Sequence, residues 1–416
     1  MGFIVGLTIT WALLIQIEAA KWGYVNDRGP DHWADLFPDA CSGSLQSPIN
    51  IPTKQTVYDP MLKDFAIFFD PPSPGSKFFV HNNGHSIQVN TEGKFYVSNG
   101  GLDNIYSTAQ FHFHWGHKAH HGSEHTIDGK PAPIEMHIVN WNSDKYNSIA
   151  EAAVEPAGLA VLGILFEISD IDNPILEPLV NVLKHVRDPD KQIKAEIPAV
   201  AMRTFLPRAP NMYYRYNGSL TTPGCFESVI WTVFYQKQTI SRRQLHVFRQ
   251  VLKPTHHRNK RSPHHESRAV RAVMEELGIE DNYIEKARFK RQLQDKAATE
   301  TKDTTVVEAS AQHEPSGTDT HSTSSTNHNV KSEPMTSSHA DKVRNMLVNN
   351  YRPVQPLNGR IIYRSFPFFG EPIPAGGTEV IYLDIDGSEG QNNTASTLRD
   401  MSLLTTFCSI LISKLL

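Results

Sequence analysis

In Gln110-Phe111-His112-Phe113-His114-Trp115, polar and aromatic residues alternate without a break. On a β-strand successive side chains change face, so Gln110, His112 and His114 share one face and the aromatics take the other. A second alternation, Glu135-Met136-His137-Ile138-Val139, sets Glu135 and His137 together. The loop between them, with Gly116, Gly122 and Asp128-Gly129, is long enough to lay the two strands side by side. Three imidazoles then meet at one point. Zinc takes imidazole nitrogen readily, and three protein ligands leave the fourth tetrahedral position for water. Gln110 and Glu135 share the faces of the ligands and are placed to orient the histidines through their second nitrogens. A lone His-x-His is ordinary sequence. Three histidines, with a carboxamide or carboxylate beside them on each strand, are not.

The elements that must position these residues are short strands. From Trp22 to about Leu252 the chain runs in brief alternating stretches such as Lys77-Phe78-Phe79-Val80, Ser86-Ile87-Gln88-Val89 and Glu227 to Phe234, punctuated by Gly, Pro, Asn and Asp. Such a pattern predicts a β-dominated domain. At about 253–340 the composition changes to His, Lys, Arg, Ser, Thr and Glu, which reads as a solvated, disordered insert with one helix near Arg268 to Ile279. Within it, Arg258-Asn259-Lys260-Arg261 and Arg288-Phe289-Lys290-Arg291 fit an Arg-x-Lys-Arg pattern that looks like a furin-type cleavage site. Proteases act on exposed, disordered loops. Residues 344–366 read as ordered again, and 367–400 as a stalk.

Of the 416 residues, 39% are hydrophobic, enough for a substantial core. Lys and Arg number 40 against 44 Asp and Glu, and a net charge of −4 supplies no concentrated basic face, so nucleic acid is not an expected partner. Residues 1–20, with an apolar run from Phe3 to Ile17 before Ala19-Ala20, have the form of a signal peptide. Residues 401–416 form a hydrophobic tail; behind the small, polar stretch Gly387-Ser388 to Ser396 it has the form of a GPI-anchor signal. The chain is therefore expected outside the cell, secreted or held at its surface by that anchor. Of three cysteines, Cys408 leaves with the tail, and Cys41 and Cys225 remain as a candidate pair.

The histidine strands are accompanied by Trp22-Gly23-Tyr24, Gln46-Ser47-Pro48-Ile49-Asn50-Ile51, Asn82-Asn83-Gly84-His85, Gly122-Ser123-Glu124-His125 and Gly218-Ser219-Leu220-Thr221-Thr222-Pro223. Together these motifs resemble an α-class carbonic anhydrase of the secreted or GPI-anchored type. The resemblance covers about 22–252 and resumes, after the insert, at Asn349-Asn350-Tyr351-Arg352-Pro353-Val354-Gln355-Pro356-Leu357. It implies an α+β, β-dominated fold: a single domain over 21–366, interrupted by the insert, on a large, mostly antiparallel twisted central sheet with peripheral helices.

For function, the resemblance implies a zinc lyase, a carbonate dehydratase that reversibly hydrates carbon dioxide to bicarbonate and a proton. One Zn2+ per domain would be held by His112, His114 and His137, with the backbone carbonyl of Asn350 orienting His114. In carbonic anhydrase the metal makes its water acidic enough to furnish hydroxide near neutrality. Thr221 would accept the hydroxide's hydrogen bond while donating its own proton to Glu124, and Thr222 would help to place bicarbonate. Val139, Val161, Leu220, Val229 and Trp231 would line an apolar pocket for carbon dioxide. His85 would be the proton shuttle, since an ordinary imidazole both accepts and releases a proton near neutral pH. Cys41 and Cys225 match the disulfide of secreted and membrane-bound members, and sulfonamide-type inhibitors are expected to bind.

Two residues depart from the family pattern. Gly224 follows Pro223 where a second proline is common, and Asn140 follows Val139 where many members have another histidine; neither is expected to touch the ligands. Asn217-Gly218-Ser219 and Asn392-Asn393-Thr394 fit the glycosylation sequon, with Asn217 expected to be shielded because it abuts the site. Two other readings differ in class. A carbonic-anhydrase-like binding module that has lost catalysis would lack a zinc histidine, and all are present here. A His-rich, metal-buffering insert with the enzyme as scaffold would lose its function on deletion of 262–340, whereas hydration activity would persist.

Overall fold

Strands form where the alternating runs predict them. They are β1 (Asn50–Ile51), β2 (Val57–Tyr58), β3 (Phe65–Phe68), β4 (Lys77–Asn82), β5 (Ile87–Glu92), β6 (Tyr96–Asn99), β7 (Leu102–Trp115) and β8 (Thr126–Ile127), then β9 (Ile134–Asn142), β10 (Leu159–Ser169), β11 (Lys194–Pro198), β12 (Tyr213–Gly218), β13 (Val229–Phe234), β14 (Gln238–Ser241) and β15 (Tyr363–Arg364). The α-helices are short: α1 (Trp33–Leu36), α2 (Pro38–Cys41), α3 (Ile149–Ala152), α4 (Glu177–Val186) and α5 (Arg242–Phe248). The structure is a computed structural model and describes residues 22–68, 72–255 and 345–368, all within one compact unit, Met1–Pro372. The expected leader, the expected insert beyond residue 255 with its helix and basic clusters, the expected stalk beyond residue 368, the second sequon and the C-terminal tail lie outside the described residues. No helix among the described residues is long and apolar enough to cross a membrane.

A 13-stranded sheet runs in the order β11-β4-β5-β7-β9-β10-β13-β12-β15-β2, with β14 paired to β10 and β6 bridging β3 and β7. Most ladders are antiparallel, as expected, but β10 pairs in parallel with both β13 and β14, and β15 with β2. On one face Phe111, Phe113, Met136 and Ile138 pack against Leu179, Val180 and Leu183 of α4 and Leu245 and Phe248 of α5. The apolar positions of α4 recur at helical spacing and so present one stripe to the sheet. On the other face Ile49, Val139, Val161, Tyr216, Leu220, Val229 and Trp231 form a second cluster. Because both faces are covered, every residue from Gln110 to Trp115 is buried, whereas the outer half of β7 alternates with solvent.

One irregularity decides which face the histidines take. The β7–β9 register shifts between Thr108 and Gln110, so Ala109 is a bulge. Tyr106 and Phe111 consequently share a core although they stand an odd number of positions apart along the strand. The bulge resets the alternation and turns Gln110, His112 and His114 away from the helices.

The insert leaves and re-enters at one place. Leu252 bridges Met346 in antiparallel fashion, and Lys253 N–H donates to Asn345 O at 2.8 Å while Leu347 N–H donates to Val251 O at 2.7 Å. This stem delivers Asn350 to the Phe113–Trp115 end of β7.

Candidate active site

The β7–β9 ladder sets His112 opposite His137, His114 opposite Glu135, and Gln110 opposite Val139. Ring centroids are 5.0 Å apart for His112 and His114, 5.3 Å for His112 and His137, and 4.6 Å for His114 and His137. One ligand-capable atom from each lies within 4.8 Å of the others. The three residues are 6%, 0% and 1% exposed, in sequence order. Room for this packing comes from Gly163, which stands opposite His137 on β10; a Cβ there would come within 3.2 Å of Glu135 Oε1.

Each ring has one nitrogen committed to the protein. His112 Nδ1 donates to Gln110 Oε1 at 2.9 Å, His137 Nε2 to Glu135 Oε1 at 2.8 Å, and His114 Nδ1 to the Asn350 carbonyl at 2.8 Å. All the orienting partners expected from the sequence are therefore in place, and each fixes a tautomer. His112 Nε2, His114 Nε2 and His137 Nδ1 remain for a ligand. His114 Nε2 is buried and has no hydrogen-bond partner. A buried polar atom left bare costs on the order of 1–3 kcal/mol, so the site fits a metal that the chain alone does not supply. Burial holds all three rings neutral: His112 well below the ordinary imidazole range, with repulsion from His114 and His137 added, His114 at about 3, and His137 lowered. Neutral imidazole is the ligating form.

Glu135 is a hub. Its Oε2 accepts the N–H groups of Glu124 and His125, each at 2.8 Å, and its Oε1 also accepts from His125 Nδ1 at 2.7 Å. Burial pushes its pKa up, but His125 and His137 outweigh this and hold the carboxylate well below its usual range. His125 Nε2 lies 2.7 Å from the Tyr216 hydroxyl, itself 2.9 Å from Ser47 Oγ. His125, Glu135 and His137 also converge closely enough for a metal, yet Glu135 Oε1 already engages both rings, so this cluster is a hydrogen-bond relay. Sequence reasoning quoted His125 and Ser47 only as parts of motifs and gave no role to Tyr216; the polar–aromatic spacing carries no signal for contacts between β12 and the 122–125 turn.

Glu124 Oε1 accepts the Arg352 N–H at 2.8 Å. Burial raises its pKa well above the carboxylate range, against the opposing pull of the Arg352 N–H and the nearby Thr221 hydroxyl. Its Oε2 is buried without a hydrogen-bond partner, although the Thr221 hydroxyl is near enough to act on the carboxylate. Thr221 and Thr222 are both buried. They are held by a tight turn in which Cys225 N–H donates to Thr222 O at 2.8 Å, with Pro223 followed by Gly224 at φ +96°. That is the geometry of a type II turn, which asks for Pro and then Gly. Gly224, a departure from the family pattern, is thus accounted for by its backbone. Cys225 is bonded to Cys41, as expected. Gln46 reaches the Cys225 carbonyl at 3.1 Å, and Arg352, also without a role in the sequence reading, reaches Gln46 Oε1 at 2.9 Å.

Val139, Val161, Leu220, Val229 and Trp231 are buried in one cluster, with the Trp231 ring 4.8 Å from that of His137. Asn140 lies on the opposite sheet face, where it accepts from Thr108 Oγ1 at 2.6 Å, and so does not touch the ligands. His85 is half-buried and stacks on Trp22 at 3.7 Å between ring centroids and 9° between planes. Loss of hydration in that stack draws its pKa to about 4. Asn217 differs from expectation. It is exposed rather than shielded, because its neighbours Tyr216 and Gly218, not Asn217 itself, carry the inward phase of β12.

Residues 28–276 match the family model for eukaryotic-type carbonic anhydrase. Carbonic anhydrase 7 of Mus musculus is 43% identical over 234 residues, which are 56% of this chain and 86% of the relative. Carbonic anhydrase 7 of Homo sapiens gives the same identity and coverage. The chain belongs to the eukaryotic-type carbonic anhydrase family. It is a carbonic anhydrase, a lyase of a zinc-dependent family that hydrates carbon dioxide to bicarbonate, and the three-histidine set is the place in this chain that fits the metal.

Proposed function

We propose that one Zn2+ is held by His112 Nε2, His114 Nε2 and His137 Nδ1, and that the chain performs reversible carbon dioxide hydration outside the cell. The observation that carries the metal assignment is the bare, buried His114 Nε2 within three converging rings whose other nitrogens are all engaged. Bound zinc supplies a Lewis acid that furnishes a nucleophile near neutral pH. Thr221 would accept a hydrogen bond from that nucleophile while donating its own hydroxyl hydrogen bond to Glu124 Oε2, which would fix the direction of attack. Ionised, Glu124 would accept that hydrogen bond at Oε2, since the Arg352 N–H occupies only Oε1. Val139, Val161, Leu220, Val229 and Trp231 offer an uncharged substrate an apolar wall, and Thr222 a hydrogen bond to bicarbonate. His85 exports the proton after turning out of the Trp22 stack into water, where its pKa returns toward the ordinary value of 6.5. A sulfonamide, an anionic nitrogen donor when ionised, would bind the metal held by His112, His114 and His137.

The Cys41–Cys225 disulfide supports an extracellular setting, since such bonds persist in oxidising compartments. The form of residues 401–416 supports attachment through a GPI anchor. Stopped-flow hydration with and without a zinc chelator tests the metal: activity should vanish on chelation and return with added Zn2+. Full activity in zinc-free protein would reject the assignment. Release of activity from intact cells by phosphatidylinositol-specific phospholipase C tests the anchor; release by salt alone would reject it.

A further inference from the structure

We infer that Asn217 carries an N-linked oligosaccharide on the sheet face opposite the histidines, added before the domain closes. This rests on the extracellular reading. Asn217-Gly218-Ser219 is an acceptor sequon. Asn217 lies opposite Ile230 in the β12–β13 ladder, and Ile230 packs toward the face that holds α4 and α5. Directly opposed residues share a face, so Asn217 points the same way. Its neighbours point the other way: the Tyr216 hydroxyl reaches Ser47 and His125, and a Cβ on Gly218 would strike Ser47 Oγ. The Asn217 side chain is exposed and its amide makes no hydrogen bond among the described residues. Arg360 touches only the backbone carbonyl, at 3.3 Å. A glycan there projects into solvent and away from the zinc site.

The third sequon residue sets the timing. Ser219 is 0% exposed; its hydroxyl accepts the Ser47 N–H at 2.9 Å and donates to Leu220 O at 2.8 Å. The transferase reads that hydroxyl, so the folded chain offers no complete sequon and transfer must occur on the extended segment. The donor is a polyprenyl-diphosphate-linked oligosaccharide. The Asn217 amide nitrogen forms a bond to sugar C1, the C1–O bond to the diphosphate breaks, the lipid diphosphate leaves with that electron pair, and the amide proton passes to a base of the transferase. Transfer therefore competes with folding. Cys225 follows Asn217 closely, and its bond to Cys41 closes a 184-residue separation, so delaying that bond keeps the sequon open.

The full chain expressed in a eukaryotic secretory host provides the test. Peptide mapping after N-glycosidase in heavy-oxygen water should find Asn217 deamidated and isotopically labelled, and Asn217→Gln should abolish that signal. Enzymatic removal of the glycan from native protein should change kcat/KM by less than about twofold. A mild reductant during synthesis should raise occupancy at Asn217. Secreted protein with Asn217 unmodified overturns this inference alone, whereas an intact leader on protein retained in the cytosol overturns the extracellular reading with it. A large loss or gain of kcat/KM on deglycosylation overturns the placement away from the site, and occupancy indifferent to reductant overturns the timing.

Discussion

The Asn350 carbonyl accepts the Nδ1 proton of His114 at 2.8 Å across 236 residues of sequence. The same residue uses its side chain as a clamp: Oδ1 accepts the Trp115 N–H at 2.8 Å, and Nδ2 donates to Phe113 O at 3.0 Å and His85 O at 3.1 Å. One residue beyond the insert thus fixes the end of the ligand strand, the tautomer of one ligand and the backbone of the proposed shuttle.

Removing that clamp should loosen the metal. In Asn350→Ala the backbone carbonyl remains but loses its anchoring, and zinc affinity should fall by about 10–100-fold, the usual cost of disturbing a ligand's outer partner. Competition with a chelator of known affinity measures this. Unchanged affinity would show that strand β7 holds His114 without help.

Thr221→Ala should retain zinc and lower kcat/KM by about 100-fold, since the hydrogen bond that aims the nucleophile is lost. Gly224→Ala should act on the same loop indirectly. Its φ of +96° strains any residue with a Cβ, costing about 1–3 kcal/mol, and should lower the unfolding midpoint together with activity. Stopped-flow hydration alongside metal analysis separates loss of chemistry from loss of zinc.

His85→Ala should slow turnover in dilute buffer and recover with added imidazole, leaving kcat/KM for carbon dioxide near wild type. Relief of the Trp22 stack should favour the outward ring. Equal turnover of the variant in dilute buffer would assign proton export to another group.

Stability should fall with acid in a defined window. His81 is held at about 4, chiefly by burial and then by Lys194 beside it, against an ordinary value of 6.5. A depressed folded pKa means that the unfolded chain binds more protons below about 6.5, so stability is present above that pH and declines as pH falls toward 4. Denaturant midpoints between these limits should drop, and His81→Gln should flatten part of the slope. A variant with the wild-type pH profile would remove His81 from this account.

Cleavage within the insert should leave an active enzyme. The two ends are paired through Leu252 and Met346, and Asn350 and Arg352 are buried against the site. Nicked protein should migrate as two fragments only under denaturing conditions and keep near wild-type hydration. Loss of activity on nicking would show that packing of 345–368 does not suffice. Recovery of solely intact chain from its natural source would reject the proposed processing.

The convergence of His112, His114 and His137 was legible because strand alternation is local: Gln110 to Trp115 and Glu135 to Val139 each state their faces in consecutive residues. The cysteine pair followed from counting, and the orienting role of Asn350 from resemblance. Other features depended on contacts between distant segments. The Ala109 bulge leaves no mark in composition, yet it selects the sheet face that the histidines occupy. The relay from His137 through Glu135, His125 and Tyr216 to Ser47 joins β9, a turn, β12 and the N-terminal segment. The stack of Trp22 on His85 depends on how that segment lies across the domain. Proximity in sequence misled at Asn217, near Thr221 along the chain but facing away from it, because in a strand one residue's step reverses the face.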